Sequence, residues 1–494
     1  MAITPELESK LNDPALAGGG AFVAGNWRNE AKSGETFEVT NPSTGAVIAT
    51  LPDCGPEDVE EAIAAAHRAQ KEWAAKTGKE RAAILRKLYD LMVENADDLA
   101  TILTIEMGKP WKEARGEILY GGSYVEWFGE EAKRAYGDMI PGHQADKRIM
   151  VIRQPIGVVG AITPWNFPNA MLARKMAPAL AAGCAMVAKP ATQTPLSALA
   201  LAVLAERAGV PSGVLSVLTA SDASMVGKAF SDDDRVRKIT FTGSTNVGRI
   251  LMRQGADQIK KMGLELGGNA PFIVFDDADI DAAVDGAIAS KYRNAGQTCV
   301  CSNRLYVQAN VYDAFAEKLA KRVSELSVGD GMEEGVDIGP LIDENAIKKV
   351  KSHVEDAVEK GAQIQLGGRP HARGGLFFEP TVLTDVTTDM KCAREETFGP
   401  VAPLFRFETE KDVIAMANDT EFGLASYFFS RDVAKIFRVA EALEYGIVGV
   451  NTGLISTEVA PFGGIKQSGI GREGSKYGLD DYMELKYICL GGIE

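Results

Sequence analysis

Apolar residues recur every three or four positions from about Pro56 to Trp127, in stretches such as ERAAILRKLYDLMVENADDLATILTIEMGK. That spacing gathers them on one helix face, so helices are expected there, with Asp53 and Asp58 as nearby caps. From Pro155 the pattern changes. IGVVGAITP, CAMVAKP, VLSVLT and KITFTG are short apolar runs, and NAMLARKMAPALAAG, LSALALAVLAERAG, ASMVGKAFSDD and NVGRILMRQGA carry helical spacing between and after them. Near-continuous apolar strands that alternate with helices predict a parallel sheet covered on both faces, an α/β, Rossmann-like, doubly wound layout.

A second alternating region starts at Asn269. PFIVFDDAD, RLYVQ and GIVGVN read as its strands. The closing stretch DDYMELKYICLGG alternates like an edge strand, which needs a partner to pair with. The chain shows no internal repeat and no low-complexity tract.

The 494 residues suffice for two or three domains. The apolar fraction of 46% and charged fraction of 24% are those of a globular protein. The net charge of -15 repels polyanions, which argues against nucleic acid, and it makes any anionic ligand depend on local cationic groups. Six cysteines in a chain this long do not form a disulfide scaffold. Cys299 and Cys301 are close, but no histidine stands near them, so no metal site is expected. His67, His143, His353 and His371 are scattered and are expected on the surface or in loops. The acidic N-terminus does not resemble a targeting segment and no apolar run is long enough to span a bilayer, so a cytoplasmic protein without membrane contact is expected.

Several segments carry chemistry. Gly469-Ile-Gly-Arg-Glu-Gly474 matches a G-x-G-x-x-G pattern, but too little chain follows to build the βαβ unit that a dinucleotide fingerprint requires. It reads as a glycine-rich turn. Phe241-Thr-Gly-Ser-Thr-Asn-Val-Gly248 follows a strand and opens a helix. It is either a phosphate cradle, with Gly243 admitting close backbone approach, or an ordinary helix capped by Ser244 or Thr245. Lys189, at the end of the strand CAMVA, either holds a ribose or phosphate or is simply solvated. Cys299 follows a small, polar approach, Asn294-Ala-Gly-Gln-Thr, and is either a nucleophile or a buried inert thiol. Glu265 lies between two leucines and beside two glycines; burial there would raise its pKa toward that of a general base, unless an ion pair holds it. Pro164-Trp-Asn-Phe-Pro168 is stiffened at both ends, so the amide of Asn166 is held either for an oxyanion or for a structural turn.

Together PWNFP, AKPAT, FTGSTNVG, LELGGN, GQTC, EETFGP and PFGGIKQSGIGREG stand in the order of the aldehyde dehydrogenase motifs, and the chain resembles that family over essentially its whole length. RNAGQTCVC, LARKMAPALAAG, HQADKR and LISTEVAPFGG look like its succinate-semialdehyde branch, with glutarate-semialdehyde dehydrogenases as near relatives. The resemblance implies that Cys299 attacks an aldehyde, that the Asn166 side chain and the Cys299 N–H hold the oxyanion, and that Glu265 activates the hydrolytic water. It implies that Glu396 and Phe398 position the nicotinamide end of the cofactor, that Ser244 meets the pyrophosphate, with Gly243 and Gly248 in the same motif, and that the Trp165 backbone and Lys189 hold the adenosine side.

Relatives that prefer NAD often carry a glutamate where this chain has Thr192. A neutral Thr192 beside Lys189 would tolerate a 2′-phosphate, so NADP is expected over NAD, with NAD possible. Arg174, Arg293 and Ser456 match positions that grip the distal carboxylate of a semialdehyde. Cys301 is a candidate redox partner of Cys299, because residues i and i+2 of an extended segment face the same way. The branch implies a role in degradation of γ-aminobutyrate and a homodimer or homotetramer. The family layout implies a dinucleotide-binding domain (1–132 and 156–267), a catalytic domain (268–467) and a small β oligomerisation element (133–155 and 468–494). Ala220 departs from the glycine that many branch members have after VLT. A CoA-acylating enzyme is disfavoured by Glu265, a thiol esterase by the cofactor motifs, and a silent binding protein by the intact Cys299, Asn166 and Glu265.

Overall fold

The computed structural model describes residues 3–493. The helical region comprises Pro56–Ala75, Gly78–Glu94, Ala96–Met107 and Trp111–Glu131. Asp58 acts at the first helix, where its carboxylate accepts the Gly55 N–H at 3.0 Å. Asp53 does not; it accepts from the N–H of Ser221 instead.

An eight-stranded sheet runs in the order Gly469–Ile470, Lys261–Glu265, Val236–Thr242, Val158–Ile162, Ala185–Lys189, Leu215–Val217, Ala21–Val23 and Asn26–Arg28. The strands from Lys261–Glu265 to Leu215–Val217 are parallel, and antiparallel strands close both edges. Successive residues of one strand enter different cores. Val159 and Ala161 join one apolar cluster and Val158 and Ile162 another. With both faces covered, an alternating pattern cannot arise, which is why these strands read as unbroken apolar runs.

The second sheet has seven strands, ordered Gln363–Leu366, Thr381–Thr384, Val401–Phe407, Ser302–Gln308, Ala270–Val274, Ala425–Phe429 and Ile447–Val450. All pair in parallel except Gln363–Leu366. The closing strand Met483–Leu490 pairs antiparallel with Arg148–Pro155, which pairs with Asp138–Ile140. One expected boundary moves. Gly469–Ile470 joins the eight-stranded sheet beside Leu264 and Glu265, and Tyr477–Asp480 packs on the helix Pro168–Ala182. The small β element therefore takes only Met483–Leu490 from the C-terminal segment, not everything from residue 468.

Candidate active site

The C-terminal ends of the first sheet's parallel strands face the loop that precedes Ser302–Gln308. Between them lies a cavity of about 650 Å³, lined by Trp165, Asn166, Arg174, Gly243, Ser244, Glu265, Arg293, Cys299, Glu396, Phe398 and Ser456 among others. Lys189, Thr192 and Gly248 are not in its lining. Lys189 ends its strand buried, with Nζ 3.4 Å from the Thr192 hydroxyl, which donates to the Ala220 carbonyl. Gly248 packs on Leu266, where a Cβ would come within 2.6 Å of the leucine side chain.

Cys299 lies in a turn. Residues Asn294 and Ala295 before it adopt left-handed backbone (φ 52° and 54°), uncommon for residues with a Cβ and a form of strain that surrounding structure must hold. The Cys299 N–H makes no hydrogen bond among the described residues. Gly268 permits this close packing, since a Cβ there would come 2.5 Å from the Cys299 carbonyl oxygen. Asn166 Nδ2 donates one hydrogen to the Gln297 carbonyl at 2.9 Å, leaving its second N–H uncommitted. Burial, then the charge of Glu396, pushes the Cys299 thiol up to about 12, so it rests protonated.

Glu265 closes its strand, is 5% exposed and has Oε2 without a hydrogen-bond partner. Burial, reinforced by the negative charge of Glu473, raises its pKa well above the carboxylate range. Glu396 accepts the Gly268 N–H at 3.0 Å and is pushed up to about 7 by burial. Phe398, also left-handed (φ 56°), meets Trp165 edge-on at 5.5 Å. Arg174 is buried against Phe462 and sits 2.8 Å from Glu473, while its Nε lacks an acceptor. Arg293 makes no ion pair among the described residues. Ser244 caps the eleven-residue helix Thr245–Gly255, aiming that helix's positive end toward the cavity. A helix start, the orphaned Thr242 hydroxyl on the wall and a glycine at 243 suit a phosphorylated dinucleotide.

Residues 27–488 match the sequence profile of the aldehyde dehydrogenase family. The chain belongs to that family. It is 63% identical over 484 residues to a glutarate-semialdehyde dehydrogenase of Pseudomonas aeruginosa, covering 98% of this chain and 100% of the relative. It is equally 63% identical, over 482 residues, to the NADP succinate-semialdehyde dehydrogenase of Escherichia coli K12, covering 98% and 100%. The crystal structure of an aldehyde dehydrogenase from Brucella melitensis biovar abortus superposes with a TM-score of 0.96 at 62% identity, covering 97% of this chain and 99% of that one.

Two expectations for this aldehyde dehydrogenase are corrected. Cys299 and Cys301 do not lie on an extended segment. Cys301 N donates to the Thr298 carbonyl in a turn, and its thiol is buried against the Gly296 carbonyl, Lys291 and Asn303 rather than lining the cavity. The i, i+2 geometry behind the proposed redox pair is absent. His353 is not a surface residue; it is 1% exposed and lies between Thr397 and Glu395, beside the Glu396–Phe398 loop. Sequence reading also missed Glu473, inside the glycine-rich turn set aside as a decoy. Its carboxylate meets Lys175 at 2.5 Å as well as Arg174. An acid in that turn was visible; its partners lie almost three hundred positions upstream.

Proposed function

We propose that this aldehyde dehydrogenase oxidises succinate semialdehyde to succinate with NADP. The observation that carries this reading is one cavity holding a thiol, a buried carboxyl with a free oxygen, an amide with a spare N–H and the unpaired guanidinium of Arg293. Cys299 releases its thiol proton to solvent as Sγ attacks the carbonyl carbon, and the carbonyl electron pair moves onto oxygen. The free N–H of Asn166 and the Cys299 N–H receive the oxyanion. When bound, the dinucleotide supplies the two-electron oxidant. Cys299 then holds the acyl group as a thioester, and Glu265 takes a proton from the water that releases it. The distal carboxylate is gripped by Arg293, Arg174 Nε and Ser456.

Glu396 and Phe398 would hold the nicotinamide end, Gly243 and Ser244 the pyrophosphate, and Trp165, Lys189 and Thr192 the adenosine side, with Gly248 fixing the helix behind it. Thr192 adds no negative charge there, which supports NADP. Glutarate semialdehyde, one methylene longer, is the second reading, because the relative named for it is as similar as the one named for succinate semialdehyde. Screening three- to six-carbon semialdehydes with NADP and NAD, by absorbance of the reduced dinucleotide, tests both. A higher kcat/KM with NAD, or with an uncharged aldehyde, would overturn the assignment.

The domain division, with dinucleotide binding around the eight-stranded sheet and catalysis around the seven-stranded one, belongs to the same reading. So do a cytoplasmic setting and a role in degrading γ-aminobutyrate. Exposed Met139, Ile140, Leu485 and Tyr487 on the small sheet support a homodimer or homotetramer.

A further inference from the structure

Lys109 and Glu117 form a buried ion pair, Nζ to Oε2 at 2.6 Å, with side-chain exposures of 1% and 0%. Two charges withdrawn from water contribute little net stability compared with apolar residues of the same volume, so the pair is not explained by folding alone. Its contacts point elsewhere. Lys109 Nζ also donates to the Asn166 carbonyl at 2.7 Å and sits 3.7 Å from the centroid of the Phe167 ring. The ammonium hydrogens therefore have a carboxylate, a carbonyl and an aromatic face.

Glu117 works on the other side of the same turn. Its Oε1 accepts the N–H groups of Asn169 and Ala170 at 3.0 and 3.1 Å. These open the helix Pro168–Ala182, whose N-cap residue Phe167 supplies no side-chain cap. One turn earlier on the same helix as Glu117, Glu113 accepts the Asn294 N–H at 2.8 Å. Asn294 Nδ2 in turn donates to the Asn166 carbonyl at 3.0 Å. The Asn166 carbonyl and the two N–H groups that follow it are thus held by one charged clamp, and from that backbone the Asn166 side chain reaches the Gln297 carbonyl and the cavity.

We propose that Lys109, with Glu117 as its counter-charge, is a positioning residue that fixes the direction of the Asn166 amide toward the oxyanion. It touches neither substrate nor cofactor. This rests on the reading of Asn166 as an oxyanion donor given above. A displacement of about 1 Å in a reacting or stabilising group costs on the order of 100-fold in rate.

The test uses the full-length enzyme and four variants: Lys109→Met, Lys109→Arg, Asn166→Ala and the double variant Lys109→Met with Asn166→Ala. Lys109→Met is expected to lower kcat about 100-fold, with the dissociation constant of NADP unchanged by fluorescence titration. Lys109→Arg, which keeps the charge and donors, should recover part of the loss. The double variant should be no slower than Asn166→Ala alone, within about twofold, because a misaimed amide no longer matters once it is gone.

A full kcat in Lys109→Met, or losses that multiply in the double variant, would overturn the proposal while leaving the function standing. No effect of Asn166→Ala would remove the oxyanion reading itself, and the clamp's purpose with it. If Lys109→Met does not fold, Glu117→Gln replaces it in both the single and double comparisons. That variant keeps oxygen toward the two N–H groups but removes the counter-charge, and the same outcomes decide.

Discussion

Arg174 lies 2.8 Å from the carboxylate of Glu473, which it shares with Lys175, whereas Arg293 on the same cavity wall makes no ion pair among the described residues. A substrate carboxylate entering this space therefore meets the unpaired guanidinium of Arg293, plus the unspent Nε of Arg174. Removing one charge-assisted hydrogen-bond donor costs about 1.5–3 kcal/mol. Arg293→Ala is expected to raise KM for succinate semialdehyde by roughly 10- to 100-fold. Hexanal, which has no distal charge, should be almost unaffected. Equal losses on both substrates would refute the anchor.

Glu265 is buried with one oxygen unpartnered, as a base awaiting water would be. General-base catalysis contributes about 10²- to 10⁴-fold. Glu265→Gln should lower kcat within that range while Cys299 still becomes acylated. Intact-protein mass spectrometry after mixing with aldehyde and NADP should then show a lasting acyl adduct on Cys299. Loss of activity with no adduct would place Glu265 before acylation instead.

Lys189 is pulled down to about 8 by burial, partly opposed by the charges of Asp53 and Asp222. Below that value it is protonated and can hold a 2′-phosphate; as pH rises through it, the charge is lost. The ratio of kcat/KM for NADP to that for NAD should therefore fall above about pH 8 and be flat with pH in Lys189→Met. A ratio that keeps its slope in that variant would assign the phosphate to another residue.

Glu473 raises the pKa of Glu265 and pairs with both Lys175 and Arg174. Glu473→Gln removes a negative charge and leaves two buried cations, so the Glu265 pKa must fall. The acid limb of the kcat profile should move to lower pH. Breaking a buried pair from one side costs about 3–5 kcal/mol, so urea unfolding should shift to lower concentration. A limb that stays in place would show that another group controls it.

The sequence by itself determined the alternation of strands and helices, and the placing of PWNFP, FTGSTNVG and LELGGN at strand ends. Those features depend on local period, on proline and glycine, and on runs a few residues long. Only the tertiary structure decided which charges meet. Lys175 and Glu473 pair across 298 positions, and Lys109 reaches the Asn166 carbonyl from the connection between the helices Ala96–Met107 and Trp111–Glu131. It also decided that Cys299 and Cys301 share a turn rather than an extended segment, with the Cys301 thiol held by Gly296, Lys291 and Asn303. Burial raises the energetic stakes of each such pairing, and burial is a property of the packed chain that no short window of residues contains.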